Sequence, residues 1–295
     1  MHSEQLLQFF VSGLANGSIY ALVAIGFTIT FSATQLISFA QGEFGMIAGF
    51  LTLTFYQAIG LPLLAAILLA IITVAGLGFF LERLTMRPFY GSGHLQVITI
   101  TIGAGVLLKA AAAIIWGKEY EALPSFSGDA PINVAGAAIM PQSLWIMGVT
   151  LVAVALLALF YQRTAWGKAI QAAAMNPLAA NLVGVPVDTV TTVAFTVGAG
   201  MSALAGVLIA PISFVHFNAG TFLGLKGFSA AVLGGMGSFP GAIVGGLVLG
   251  LVEAFGAGLL SSGYKSAIAL GVLLLVLMLR PGGIVGSTLG HMEEV

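Results

Sequence analysis

The sequence predicts an all-α integral membrane protein, a polytopic bundle of about eight to nine transmembrane helices with at least one broken or short helix. Three observations predict it. Hydrophobic residues make up 59% of the 295 residues and charged residues only 6%, with a mean hydropathy of +1.10. Soluble domains carry about 25% charged residues, so no water-facing surface can be built from this composition. Apolar runs approaching the roughly 20 residues that cross a bilayer recur along the chain. No alternating strand pattern accompanies them, and backbone groups in lipid must be satisfied internally, so the spans are helices and not a barrel.

The spans lie near 6–31, 36–56, 61–82, 95–116, 142–162, 190–211, 226–237, 240–260 and 264–280. The stretch 226–237 is too short to cross alone and reads as half of a broken helix, which would lower the count to eight. Forty glycines allow close helix approach where apolar burial no longer drives association. There is no linker or low-complexity run, so 1–295 reads as a single transmembrane domain. The start, Met1 to Gln5, lacks the positive n-region of a signal peptide, so the first span is expected to be retained. Without cysteine, disulfides, thiolate metal sites and thiol nucleophiles are excluded. A net charge of -1 offers no basic surface to nucleic acid. The histidines are scattered without metal-ligand spacing, including His94 at a membrane edge and His216 beside Phe214, Phe217 and Asn218.

Basic residues orient the bundle, because positive charge near span ends favours the cytoplasm. Arg83 and Arg87 share one loop, Arg163 and Lys168 another, and Arg280 ends the last span. The 83–94 loop, the 163–189 loop and the C-terminus are therefore expected inside, and the N-terminus outside. Lys118 and Lys265 then fall outside, Lys226 at a membrane edge and Lys109 within a span. The outer loop 117–141 carries Glu119, Glu121, Asp129, Pro124, Pro131 and Pro141 and is expected to form an ordered hairpin or cap. Gly17-Ser18-Ile19-Tyr20 and Gly200-Met201-Ser202-Ala203 begin faintly similar stretches in oppositely directed spans. That is the mark of an inverted repeat, or a chance match between small residues.

The most informative feature is the polar interruption at 163–189, which opens Arg163-Thr164-Ala165-Trp166-Gly167-Lys168. Asn176 is a good N-cap and Pro177 suits the first helical position. Leu178, Leu182 and Val183 make an apolar stripe, Gly184 can take the left-handed C-terminal cap, and Pro186 prevents continuation. So short a helix is unstable by itself and must be held by contacts. With Ala179 and Ala180 it reads either as an ordinary cytoplasmic loop or as a coupling helix that docks on another protein.

Inside the membrane, ionisable residues are functional candidates by default. Glu43 follows Gly42 and precedes Gly45 in a span that begins with Ser38 and Gln41. It either hydrogen-bonds a neighbouring helix or lines a translocation path with Gln41 and Gly42. Lys109 is expected to pair with Glu43 or Glu253, and Glu253 to tighten helix packing. Gly234, Gly235, Gly237 and Pro240 mark a helix break, read as a close crossing or as a hinge.

Leu178-Ala179-Ala180 followed by Gly184 resembles the Glu-Ala-Ala-x3-Gly loop of ABC importer permeases, with Leu178 in place of Glu. Ile37-Ser38-Phe39-Ala40-Gln41-Gly42-Glu43, the stretch from Ala230 to Ala242, and Arg280-Pro281-Gly282-Gly283-Ile284 resemble LivH-type permeases for branched-chain amino acids, in order over roughly 6–286. That family usually shows His where Gln41 stands. The resemblance implies a permease subunit of an ATP-driven importer in the bacterial inner membrane. It would work with a LivM-type second permease, two cytoplasmic ABC ATPases and a periplasmic substrate-binding protein. The chain has no Walker-type phosphate loop, so it is expected to be no enzyme and to hold no cofactor. ATPase-driven movement of the 176–184 helix would tilt one permease against the other. The rival reading is a self-contained ion-coupled transporter or channel for a small polar solute such as an amide or urea. It would need Glu43 with Lys109 or Glu253 as its coupling site.

Overall fold

The structure is a computed structural model that describes residues 3–89, 94–128, 130–134, 136–259, 263, 265–280 and 282–285. Asp129 and Pro281 lie outside the described residues, as do the side chains of His94 and Lys265.

Among the described residues nine helical segments are apolar. In chain order they are α1 (Ser3–Thr34), α2 (Gln41–Leu53, extended by a π-helical turn Thr54–Ala58), α3 (Leu63–Leu81, extended by a second π turn Glu82–Met86) and α4 (His94–Ile115). A small antiparallel hairpin, β1 (Ile132–Val134) and β2 (Ala137–Ile139), precedes α5 (Pro141–Arg163). Two helices, α6 (Ala165–Met175) and α7 (Pro177–Leu182), make up the polar interruption. Then come α8 (Val187–Ser213), α9 (Ala219–Gly234), α10 (Phe239–Leu259) and α11 (Lys265–Leu279). Six of the nine are long and apolar enough to cross a membrane on their own.

One expectation is corrected here. The stretch 226–237 is not half of a broken helix. It comprises the second half of α9, which begins at Ala219 and ends at Gly234, and the first residues of the turn that follows. The 16 residues rise about 24 Å at 1.5 Å each, short of the roughly 30 Å hydrocarbon core. Gly220, Thr221 and Gly224 hid its first half from a hydropathy reading.

Burial separates the central helices from the outer ones. In α1 83% of the most apolar window is buried and in α8 67%, against 22%, 22% and 17% in α3, α4 and α5. A helix apolar all round belongs in a core or in lipid, and both solutions are used. α1 packs along α10 and α8, with α9 and α5 beside it, and α2 packs on α8, α9 and α3. The α1–α10 crossing is close because Gly17 and Gly250 face each other. A Cβ on Gly17 would sit 2.8 Å from Leu247 Cα, and one on Gly250 would overlap the Gly17 backbone. Outward-facing side chains such as Leu107, Ile114, Leu151 and Met278 remain exposed and make the lipid-facing belt.

Contacts between loops identify the two ends of the bundle. At one end Glu121 and Val215 exchange backbone hydrogen bonds, Trp116 Nε1 donates to Thr54 Oγ1 at 2.8 Å, and Phe9 meets Phe255 edge-on. The hairpin packs against α1 there, and so gives the 117–141 loop the ordered form expected of it. At the other end Arg87 pairs with Asp188 at 2.8 Å, and Ser32 Oγ donates to the Gly237 carbonyl. There too the Ile284 amide donates to the Leu233 carbonyl at 2.9 Å. Residues 83–89, the α6–α7 segment and 282–285 thus share one end.

Candidate functional site

The α6–α7 segment is built by local chemistry. Thr164 caps α6 by accepting from the Gly167 amide at 3.0 Å, and Ile170 and Ala173 bury the inner face of that helix. Asn176 caps α7, its side chain accepting from the Ala179 amide at 3.0 Å, and Pro177 opens the helix. Gly184 takes φ +88°, and the Val185 amide closes the turn on the Ala180 carbonyl at 3.0 Å. Of the short helix only Ala180 is buried. Leu178, Leu182 and Val183 are 78%, 89% and 79% exposed. Three large apolar side chains therefore project from the polar end of the bundle, with nothing among the described residues covering them.

Within the bundle, Gln41, Gly42 and Glu43 stand at the first turn of α2, all buried. Gln41 Nε2 donates to the Gly198 carbonyl of α8 at 2.6 Å. Gly42 lets α2 lie directly on α9, since a Cβ there would overlap Gly220 and Gly224. Glu43 Oε1 accepts from Thr221 Oγ1 at 3.0 Å, while Oε2 is buried without a hydrogen-bond partner. Glu43 therefore bonds a neighbouring helix and also lines a cavity of about 270 Å³ between α2, α4 and α9. Lys109 lines the same cavity, its ammonium 5.9 Å from the centre of the Phe217 ring.

Lys109 does not pair with Glu253. Glu253 is wholly buried and accepts from Lys226 Nζ at 2.5 Å and from the Tyr20 hydroxyl at 2.5 Å; Lys226 also reaches Tyr20 at 3.0 Å. Lys226 is accordingly not at a membrane edge. It lies midway along α9 and ties that helix to α1 and α10, so Glu253 tightens packing as expected. The triad satisfies a buried carboxylate in the way a low-dielectric interior demands. Beside it, a second cavity of about 180 Å³ is bounded by Tyr20, Lys226, Met46, Leu223, Phe214 and His216. His216 itself lies in the α8–α9 turn against the ring of Tyr120.

The glycine-rich stretch is a tight turn. α9 ends at Gly234, Gly235 and Gly237 take φ of +105° and +90°, and Pro240 is the second residue of α10. A Cβ on Gly234 would overlap the Gly241 carbonyl, so the close-crossing half of the expectation describes this geometry. Sequence reasoning missed one buried acid. Glu82 is fully buried and accepts from Thr192 Oγ1 at 2.7 Å. It closes the apolar run 61–82 next to Arg83, and nothing local marks it as buried. Among the described residues no group of three or more histidines and carboxylates is placed to hold a metal ion.

A many-spanning helical bundle with buried charges and a side cavity defines a polytopic membrane protein. The comparisons sharpen that class. The profile of the family described as branched-chain amino acid transport system / permease component matches residues 9–277. The high-affinity branched-chain amino acid transport system permease protein BraD of Pseudomonas aeruginosa is 36% identical, over 95% of each chain. LivH of Escherichia coli K12, with the same description, is 35% identical over 96% of this chain and 97% of its own. In the solved structure of PsaBC from Streptococcus pneumoniae in complex with Fab, one chain superposes with a TM-score of 0.51 at 13% identity. That match covers 94% of this chain and 92% of the other, and it is a likeness of fold alone. The chain belongs to the branched-chain amino acid transport permease family.

Proposed function

We propose that this subunit carries a branched-chain or similar apolar amino acid across the bacterial inner membrane, driven by ATP hydrolysis in separate subunits. The observation that carries the reading is the capped, uncovered α7 knuckle. Leu178, Leu182 and Val183 form a rigid apolar projection below the membrane helices, and two caps hold it in a helical form too short to persist alone. A pair of cytoplasmic ABC ATPases is the partner suited to grip it. The residues of this coupling element are Asn176, Pro177, Leu178, Ala179, Ala180, Leu182, Val183 and Gly184. The end of the bundle bearing Arg83, Arg87, Arg163, Lys168 and Arg280 is then cytoplasmic, with the N-terminus outside. A LivM-type second permease completes the membrane layer, and a periplasmic binding protein delivers cargo to the outer end. The path runs past Gln41, Gly42 and Glu43, and the turn at Gly234, Gly235, Gly237 and Pro240 holds α9 to α10 while subunits tilt. The names and identities of the full-length relatives support the substrate class.

The rival, a self-sufficient ion-coupled carrier, loses one of its coupling acids, because Glu253 is engaged by Lys226 and Tyr20. The test is transport in proteoliposomes. The complete complex should accumulate leucine only with internal or external ATP available to its ATPases, and Gly184→Trp should leave the permease inserted but uncouple uptake from hydrolysis. Uptake by this chain alone on a proton or sodium gradient would establish the rival. Normal coupled uptake by Gly184→Trp would remove the coupling assignment.

A further inference from the structure

We propose that the cavity between α2, α4 and α9 is a transient site for the zwitterion of the transported amino acid, with Glu43 facing its α-ammonium and Lys109 its α-carboxylate. The inference rests on the import reading above and adds the recognition chemistry.

Four observations carry it. First, a carboxylate and an ammonium line one cavity without closing an ion pair on each other. In a low-dielectric setting two opposite charges that share a chamber would be expected to join. A ligand bearing both charges would satisfy the two groups at once. Second, Glu43 is 5% exposed and its Oε2 has no hydrogen-bond partner, while Oε1 is held in place by Thr221. A buried acceptor oxygen of this kind is costly unless something donates to it in a working state. Third, the remaining wall is apolar: Phe27, Phe39, Ile102, Val106, Leu225 and Phe228. An aliphatic side chain would lie against these groups. Fourth, the volume of about 270 Å³ falls below the roughly 300–1,000 Å³ of pockets for drug-sized ligands, which suits a small solute.

The position of the cavity agrees with passage between subunits. Ile102, Val106 and Leu225, at its mouth, are 48%, 61% and 54% exposed, so the chamber opens on the side of this bundle. Charges opening sideways into lipid would be expensive. A second permease against α4 and α9 would turn the opening into an enclosed path. Gly42, Gly220 and Gly224 hold the chamber narrow by bringing α2 onto α9. The triad of Tyr20, Lys226 and Glu253 is a different case, since there the charges meet and neutralise each other.

The experiment uses the complete complex in nanodiscs, without the binding protein, so that the permease's own selectivity is read. A diazirine-bearing leucine analogue is photolysed at millimolar concentration, and labelled residues are located by mass spectrometry. Labels are expected on Ile102, Val106, Leu225 or Phe228. Leucine should compete, while leucinamide (no carboxylate) and 4-methylpentanoate (no ammonium) should compete at least about tenfold less well, the ratio given by one lost charged contact. Lys109→Met should abolish the preference for leucine over leucinamide, and Lys109→Arg should restore it. Glu43→Gln should do the same for 4-methylpentanoate, with Glu43→Asp as the restoring variant. Labels only elsewhere, no labels, or equal competition by all three ligands overturns the assignment. Should a variant fail to assemble with its partners, labelling and competition on the wild-type complex decide alone. A wild-type complex that imports leucine with ATP but shows no chamber labels sinks this site and leaves the import reading standing. Absence of ATP-driven uptake sinks that reading itself.

Discussion

Replacing Lys226 by methionine tests the account of the buried triad. The substitution keeps the length and apolar stem and removes the charge. Glu253 is wholly buried, and Lys226 holds its Oε1 at 2.5 Å. Breaking a buried ion pair by removing one partner costs about 3–5 kcal/mol, because the other charge is left behind. Two facts place the expected value at the lower end. Tyr20 still donates to Oε2 at 2.5 Å, and the Lys226 side chain is 25% exposed. We expect a loss of about 3 kcal/mol for Lys226→Met. The double variant Lys226→Met with Glu253→Gln removes both charges and keeps an acceptor for Tyr20, and should recover about 2 kcal/mol of that loss. The assay is reversible unfolding of the purified permease in mixed micelles titrated with dodecyl sulfate, as a double-mutant cycle. A single variant within about 0.5 kcal/mol of wild type, the level of an ordinary surface change, would refute the argument. So would a double variant no more stable than the single one.

Other expectations follow from separate parts of the fold. Asn176→Ala removes the cap of α7 and should cost about 0.5–2 kcal/mol locally; faster amide exchange at 179–183 and weaker ATPase association would show it, and Asn176→Asp should be tolerated. Leu182→Glu should leave bundle stability within about 0.5 kcal/mol and abolish ATPase docking in a pull-down, because that side chain is 89% exposed. Gly206→Ala places a Cβ against the Gly45 carbonyl and should destabilise by about 1–3 kcal/mol through overpacking, read by the same micelle titration. Arg87→Ala breaks a surface pair with Asp188, whose side chain is 69% exposed, and should cost less than about 1 kcal/mol.

Local signals were legible in the chain. The cap and stop of α7 depend on Asn176, Pro177, Gly184 and Pro186 acting on their own neighbours, and the structure has each in the expected backbone state. The long spans were equally plain, since twenty apolar residues leave few alternatives. α9 was not plain. Its glycines and Lys226 lower its hydropathy, yet those same residues let it pack on α2 and reach Glu253. Nothing local marks Glu82, at the end of the 61–82 span, as buried, because its partner Thr192 is 110 positions away.

Composition and local sequence signals by themselves determined that this is a helical membrane bundle with a short capped helix in its polar interruption, because solvent and local backbone chemistry act residue by residue. Which charges neutralise each other was decided only by tertiary structure. Lys226 closes a salt bridge on Glu253, while Lys109 and Glu43 line one chamber. Coulomb energy depends on distances of a few ångströms between side chains, and those distances are set by glycine-mediated helix crossings that no single segment contains.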